Sequence, residues 1–78
     1  MLEDRGKKHG DFTDHARIAQ RLKAVMHNES SWVGLTPTQK EGLEMIQHKI
    51  ARILAGNPNL PEHWEDIEGY SRITRDRL

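Results

Sequence analysis

The groups best able to do chemistry in this chain are its five histidines and the charged residues beside them, and they fall in a few short stretches. Residues 5–20, RGKKHGDFTDHARIAQ, bring together Arg5, Lys7, Lys8, His9, Asp11 and His15. His48 and Arg52 are four apart, and His63, Asp66 and Tyr70 follow at spacings of three and four. Basic residues beside a helix start supply what a phosphate or other anion requires, positive charge and unsatisfied backbone N–H groups. A carboxylate one turn from an imidazole, as Asp11 is from His15, can orient a ring nitrogen for binding or proton transfer. Each group also has a simpler use. Asp11 or Thr13 can cap a helix, an inward His can be a satisfied core residue, and Glu62, Glu65 and Asp66 complement a helix dipole.

Helical periodicity and capping signals supply the elements that position these groups. GDFTD starts a first helix over about 12–27, with Ile18, Leu22, Val25 and Met26 on one face. TPTQ starts a second over about 37–55, where Thr36 caps, Pro37 takes the first helical position and Gln39 completes a capping box. Leu43, Ile46, Ile50, Ile53 and Leu54 form its apolar stripe, expected to face the core, and Gly56 ends it. SSWVGL between them is expected to be a loop, with Trp32 folded back onto the core. GNPNLP makes a tight connection, and Pro61 opens a third helix over about 61–75 with Trp64, Ile67, Tyr70 and Ile73 turned inward. The expected fold is all-α, a three-helix up–down–up bundle forming one domain over 1–78, with 1–10 as a flexible basic segment.

That topology gathers the start of helix one, the end of helix two and the start of helix three at one end. His9, Asp11, His15, His48, Arg52, His63 and Asp66 collect there, and His27 lies at the other end. His15 is the most informative residue. At about 100° per residue it projects with Ile18 and Leu22 rather than with Arg17 and Arg21. Glu41, Glu44, His48 and Arg52 form a stripe opposite the apolar one, which reads as a solvated face. Met45 interrupts that stripe, as a second-subunit contact would. Gly69 costs about 1 kcal/mol relative to Ala in a helix interior and is read as room for another backbone or a ligand.

Composition excludes several classes. Lys+Arg 12 balances Asp+Glu 12 with the signs interleaved, which argues against a basic face for nucleic acid. The absence of Cys excludes disulfides and a thiolate metal site. No apolar run suits a signal peptide or a membrane span, so the expectation is a cytoplasmic protein without a membrane partner. Seventy-eight residues lie near the lower limit for a chain that folds alone, and a homo-oligomer is the expected remedy. P-loop, nucleophile-elbow, zinc and dinucleotide fingerprints do not occur, and Ser30 and Ser31 have no placed base.

The blocks RGKKHGDFTDHARIAQRLK and EGLEMIQHKIARILAGNPNLPEHWEDIEGYSRI together resemble a group of small phage and prophage proteins with no assigned activity. The ending HWEDIEGYSRI is also distantly similar to the last conserved helix of MazG-like all-α nucleoside triphosphate pyrophosphohydrolases. That oligomeric superfamily holds Mg²⁺ against a triphosphate with acidic pairs on neighbouring helices. The resemblance implies Glu41 and Glu44 as one pair and Asp66 as the acid of the later pair, whose partner position is His63 here. Imidazole in place of carboxylate suits Mg²⁺ poorly.

The expected function is binding, and sequestration, of a nucleotide or nucleotide-derived signal molecule by a small phage-type oligomer, with no cofactor and no turnover. In a phage setting this would blunt host defence. Arg5, Lys7, Lys8 and Arg52 would meet phosphate, and His15, His63 and Tyr70 base or ribose, with His9, Asp11, His48 and Asp66 completing the site. Two alternatives stand beside it. One is a Mg²⁺-dependent pyrophosphohydrolase with Glu41, Glu44 and Asp66 as metal ligands, and the other is an interaction module for a host protein.

Overall fold

The computed structural model describes residues 10–78. Arg5, Lys7, Lys8 and His9, with the flexible basic segment expected around them, lie outside the described residues. Three α-helices follow, α1 (Phe12–Asn28), α2 (Pro37–Ala55) and α3 (Pro61–Arg75), within one residue of the spans expected from sequence.

The caps explain why the boundaries fall where they do. Asp11, rather than Thr13, caps α1, its carboxylate accepting from the Thr13 N–H at 3.0 Å. At α2 the capping box is complete. Thr36 Oγ1 accepts from the Gln39 N–H at 3.1 Å, and Gln39 Oε1 accepts from the Thr36 N–H at 2.9 Å. Gly56 closes α2 by donating to the Arg52 carbonyl at 3.0 Å. The link expected as a loop is instead a 3-10 turn over Ser30–Gly34, with Trp32 half-buried and its ring 4.7 Å from that of His27. In the second link Asn57 Oδ1 accepts from the Asn59 N–H at 2.9 Å. Trp64 Nε1 donates to the Pro58 carbonyl at 2.9 Å, which ties the start of α3 to that link.

The helices run up, down and up, with α2 in the middle. Helices α1 and α3 each pack along α2 and scarcely touch one another. The result is an open bundle measuring 40 × 26 × 17 Å. Two close approaches fix it. Gly10, at φ +82°, lies so near the Ala55 carbonyl that a Cβ there would collide with backbone. A Cβ at Gly42 would collide with the Thr74 hydroxyl, so α3 approaches α2 closely at that point. No helix among the described residues is long and apolar enough to cross a membrane.

The apolar stripe expected on α2 is only partly covered: Ile46 and Ile53 are half-buried, and the other three residues are not enclosed. Leu43, Ile50 and Leu54 are 42%, 36% and 64% exposed, and Trp64 and Ile73, expected inward on α3, are 56% and 50% exposed. The reason is the central position of α2. Its two neighbours lie on opposite sides, where Gly42 and Ala51 are buried, and Leu43, Ile50 and Leu54 point to a third side. Among the described residues the buried hydrophobic side chains are Ala19 and Ala51, and no large side chain is fully buried.

The two helix glycines are therefore expected to respond oppositely to alanine. At Gly42 the added methyl meets a stiff, hydrogen-bonded Thr74, and Gly42→Ala is expected to destabilise by about 1–3 kcal/mol despite its better helix propensity. At Gly69 nothing lies within 4 Å of an added Cβ, and Gly69→Ala should stabilise by roughly 1 kcal/mol. Denaturant midpoints of the two variants read this directly.

Candidate functional site

The expected gathering of histidines at one end of the bundle is present where it can be followed. His15, on the first turn of α1, and His48, near the end of α2, meet edge-to-face with ring centroids 4.6 Å apart. Arg52, one turn beyond His48, donates from Nε to His48 Nε2 at 3.4 Å. His15 is 4% exposed and its Nδ1 has no hydrogen-bond partner, while His63 is equally buried at the start of α3. Asp11 accepts from the Thr13 N–H in the cap of α1 and is not hydrogen-bonded to His15 Nδ1. His27 lies toward the other end, with Nε2 3.5 Å from Glu44.

The electrostatics of this cluster differ from those of an anion site. Burial, then the neighbouring His15, Arg52, Lys49 and Lys23, push His48 down to about 4. Burial and the positive charges of Arg52 and Lys23 lower His15 as well. Both imidazoles are therefore neutral near pH 7 and act as hydrogen-bonding groups rather than cations. Arg52 carries the fixed charge there, and its Nε is turned toward His48.

Another opening lies elsewhere. A cleft of about 420 Å³ runs between the first half of α2 and the second half of α3. Met45, Tyr70 and Ile73 supply its apolar lining, and Glu41, Arg77, Thr38 and Thr74 its polar groups. Thr74 Oγ1 donates to the Tyr70 carbonyl at 2.8 Å, and an Arg77 guanidinium N–H donates to the Ile73 carbonyl at 2.9 Å. Arg77 is thereby held beside the start of α2, where a further hollow of about 220 Å³ includes Thr36, Gln39 and Arg77. Gly42 forms part of the wall, and the close α2–α3 approach it permits sets the depth of the cleft. This volume lies in the range of small-molecule sites, about 300–1,000 Å³.

The residues singled out from sequence divide between these places. His15, His48 and Arg52 come together, with Asp11 capping nearby. Asp66 forms an ion pair with Lys49 across α2 and α3 at 2.9 Å. Tyr70 and Glu41 line the cleft. Glu41, Glu44 and Asp66 are not brought together within one chain. Glu44 is beside His27, Asp66 beside Lys49, and among the described residues no group of three or more His, Asp or Glu is placed to hold a metal ion. Sequence reasoning missed Thr38, Gly42, Thr74 and Arg77 as site residues. Met45, noted as an apolar interruption of a charged stripe, was the available signal, because such a residue faces something other than water.

The neutral histidines make a pH prediction. An unfolded His titrates near 6.5, whereas folded His48 titrates near 4. Between those values the unfolded chain binds more protons, so the full stability is present above about pH 6.5 and is lost as pH falls toward 4. The thermal midpoint is expected to drop through that window, and His48→Gln should drop less steeply than the parent. An identical pH slope in the two proteins would count against the buried imidazole as the cause.

Comparison with known proteins adds one relationship. No curated protein and no solved structure matches the chain. A family model matches residues 1–77, and the chain belongs to the family described as Domain of unknown function (DUF6378).

Proposed function

We propose that this chain is a small-molecule binding module that takes a nucleotide or nucleotide-derived ligand in the α2–α3 cleft and holds it without turning it over. The observation that carries this reading is the composition of the cleft, an apolar lining with Tyr70 and polar groups of both signs, Glu41 and Arg77, at its edge. A flat heterocycle gains from stacking and burial against Tyr70, Met45 and Ile73. Glu41 can accept from an exocyclic amine or a ribose hydroxyl. Arg77 can pair with a phosphate, for which a guanidinium is well shaped. The positive end of the α2 dipole lies on the same side and favours the same charge.

Binding without turnover is supported by the dispersal of the acidic groups, since the carboxylates that a pyrophosphohydrolase needs are occupied by His27 and Lys49 in the single chain. The wider setting of this proposal, a phage-type protein that sequesters a signal molecule, rests on the sequence resemblance.

The test is a thermal-shift screen with nucleoside mono-, di- and triphosphates and cyclic nucleotides, with and without Mg²⁺, followed by chromatography of the released ligand. A true ligand at a hundred times its dissociation constant adds about 2.7 kcal/mol of stability. The expected outcome is stabilisation by at least one compound, its recovery intact, and about tenfold or greater weakening in Arg77→Ala, as loss of a charged hydrogen bond implies. Recovery as monophosphate and pyrophosphate would replace binding with hydrolysis, and no shift with any compound would overturn the proposal.

A further inference from the structure

One side of the open bundle carries an exposed apolar residue or stripe on each of its helices, with charged residues such as Asp14 and Arg75 at its margins, and its residues can be placed by their neighbours. On α2, Gly42 and Lys49 face α3 through Thr74 and Asp66, and Glu44 and His48 face α1 through His27 and His15. At about 100° per residue, Leu43, Ile50 and Leu54 fall between those two directions, on the side away from Glu41, Met45 and Arg52. On α1, Val25 lies roughly opposite Lys23 and His27, so it shares the side of Leu43 and Ile50. On α3, Trp64 lies roughly opposite Ile73, which faces the cleft, and so it joins the same side. All five of these apolar residues are more than a third exposed.

We propose that a second copy of this chain covers this side, pairing the Leu43, Ile50 and Leu54 stripe of each α2 with that of its partner about a two-fold axis. Among the described residues the buried hydrophobic ones are alanines, and no large side chain is fully enclosed. A facing copy supplies the missing half of a core. The broad side of the bundle, 40 × 26 Å, is bounded at on the order of 1,000 Å², large enough to contain the about 800 Å² per partner of a standard stable interface, with the apolar stripe at its centre and polar residues around it.

The chemistry of the stripe favours self-association over a different partner. From Leu43 to Leu54 the uncovered side of α2 presents Leu43, Ile50 and Leu54, flanked by half-buried Ile46 and buried Gln47, and no charged residue, so no charge of one sign selects a complementary protein. An uncharged stripe is its own complement under a two-fold operation. At the edge, the exposed Arg72–Glu68 pair on α3, at 2.7 Å, forms part of a polar rim of the usual kind. The arrangement leaves the α2–α3 cleft on the outer side of each copy, so the dimer does not depend on a ligand.

The test is the solution mass of the full chain by light scattering across a concentration series, combined with single-cysteine cross-linking, which the absence of native Cys makes clean. The expected mass is twice the 9.0 kDa of one chain, with a thermal midpoint that rises with protein concentration. Ile50→Cys, near the proposed axis, should form a disulfide-linked pair on mild oxidation, whereas Glu41→Cys, on the cleft side, should remain unlinked. A folded protein of single-chain mass at every concentration, or linkage through Glu41→Cys in place of Ile50→Cys, would overturn the proposal.

Discussion

The packing of α2 between two helices that scarcely touch one another governs the rest of this structure. A helix with neighbours on opposite sides has to present small residues to both if the helices are to come close. Gly42 against Thr74, and Ala51 buried within α2, are those residues here. The cost is that nothing remains within the chain to cover the large aliphatics on the intervening side. The small buried core, the exposed Leu43–Ile50–Leu54 stripe and the cleft on the opposite side all follow from this one geometric fact.

The same arrangement separates two kinds of polar chemistry. At the end where α1 begins and α2 finishes, His15 and His48 are pressed together with Arg52 and Lys23 close by, and burial makes neutrality the cheaper state for both rings. At the other end, Arg77 and Glu41 stand at the edge of an apolar cleft with access to solvent. A neutral imidazole pair, one ring buried and one half-buried, holds helices in register, whereas an accessible pair of opposite charges can be offered to a ligand. Accessibility, more than the density of ionisable residues, distinguishes the two ends.

Much of the local structure was legible from residue order. Thr36, Pro37 and Gln39 mark the start of α2 because a capping box satisfies specific orphan N–H groups within four residues. His15 was expected inward from its phase relative to Ile18 and Leu22, and it is buried. The role of Asp11 was also readable as a cap, while its pairing with the His15 ring was not realised, since Asp11 accepts from the Thr13 N–H and the buried His15 Nδ1 has no hydrogen-bond partner. The cleft was less legible. Tyr70 and Glu41 were singled out, but Thr74 and Arg77 come from the end of α3 and reach the site only through the tight α2–α3 approach.

The sequence by itself determined the helices, their order and their ends, because caps, prolines and apolar periodicity act over a few residues and need no distant partner. It also determined which end of the bundle holds His15 and His48, since short links leave little freedom in helix direction. Only the tertiary structure decided which side of α2 is covered. A periodic apolar stripe states that a helix wants one face buried, and it carries no information about whether the burying surface lies in the same chain. Here both neighbours took the sides with small residues, and the stripe was left facing outward.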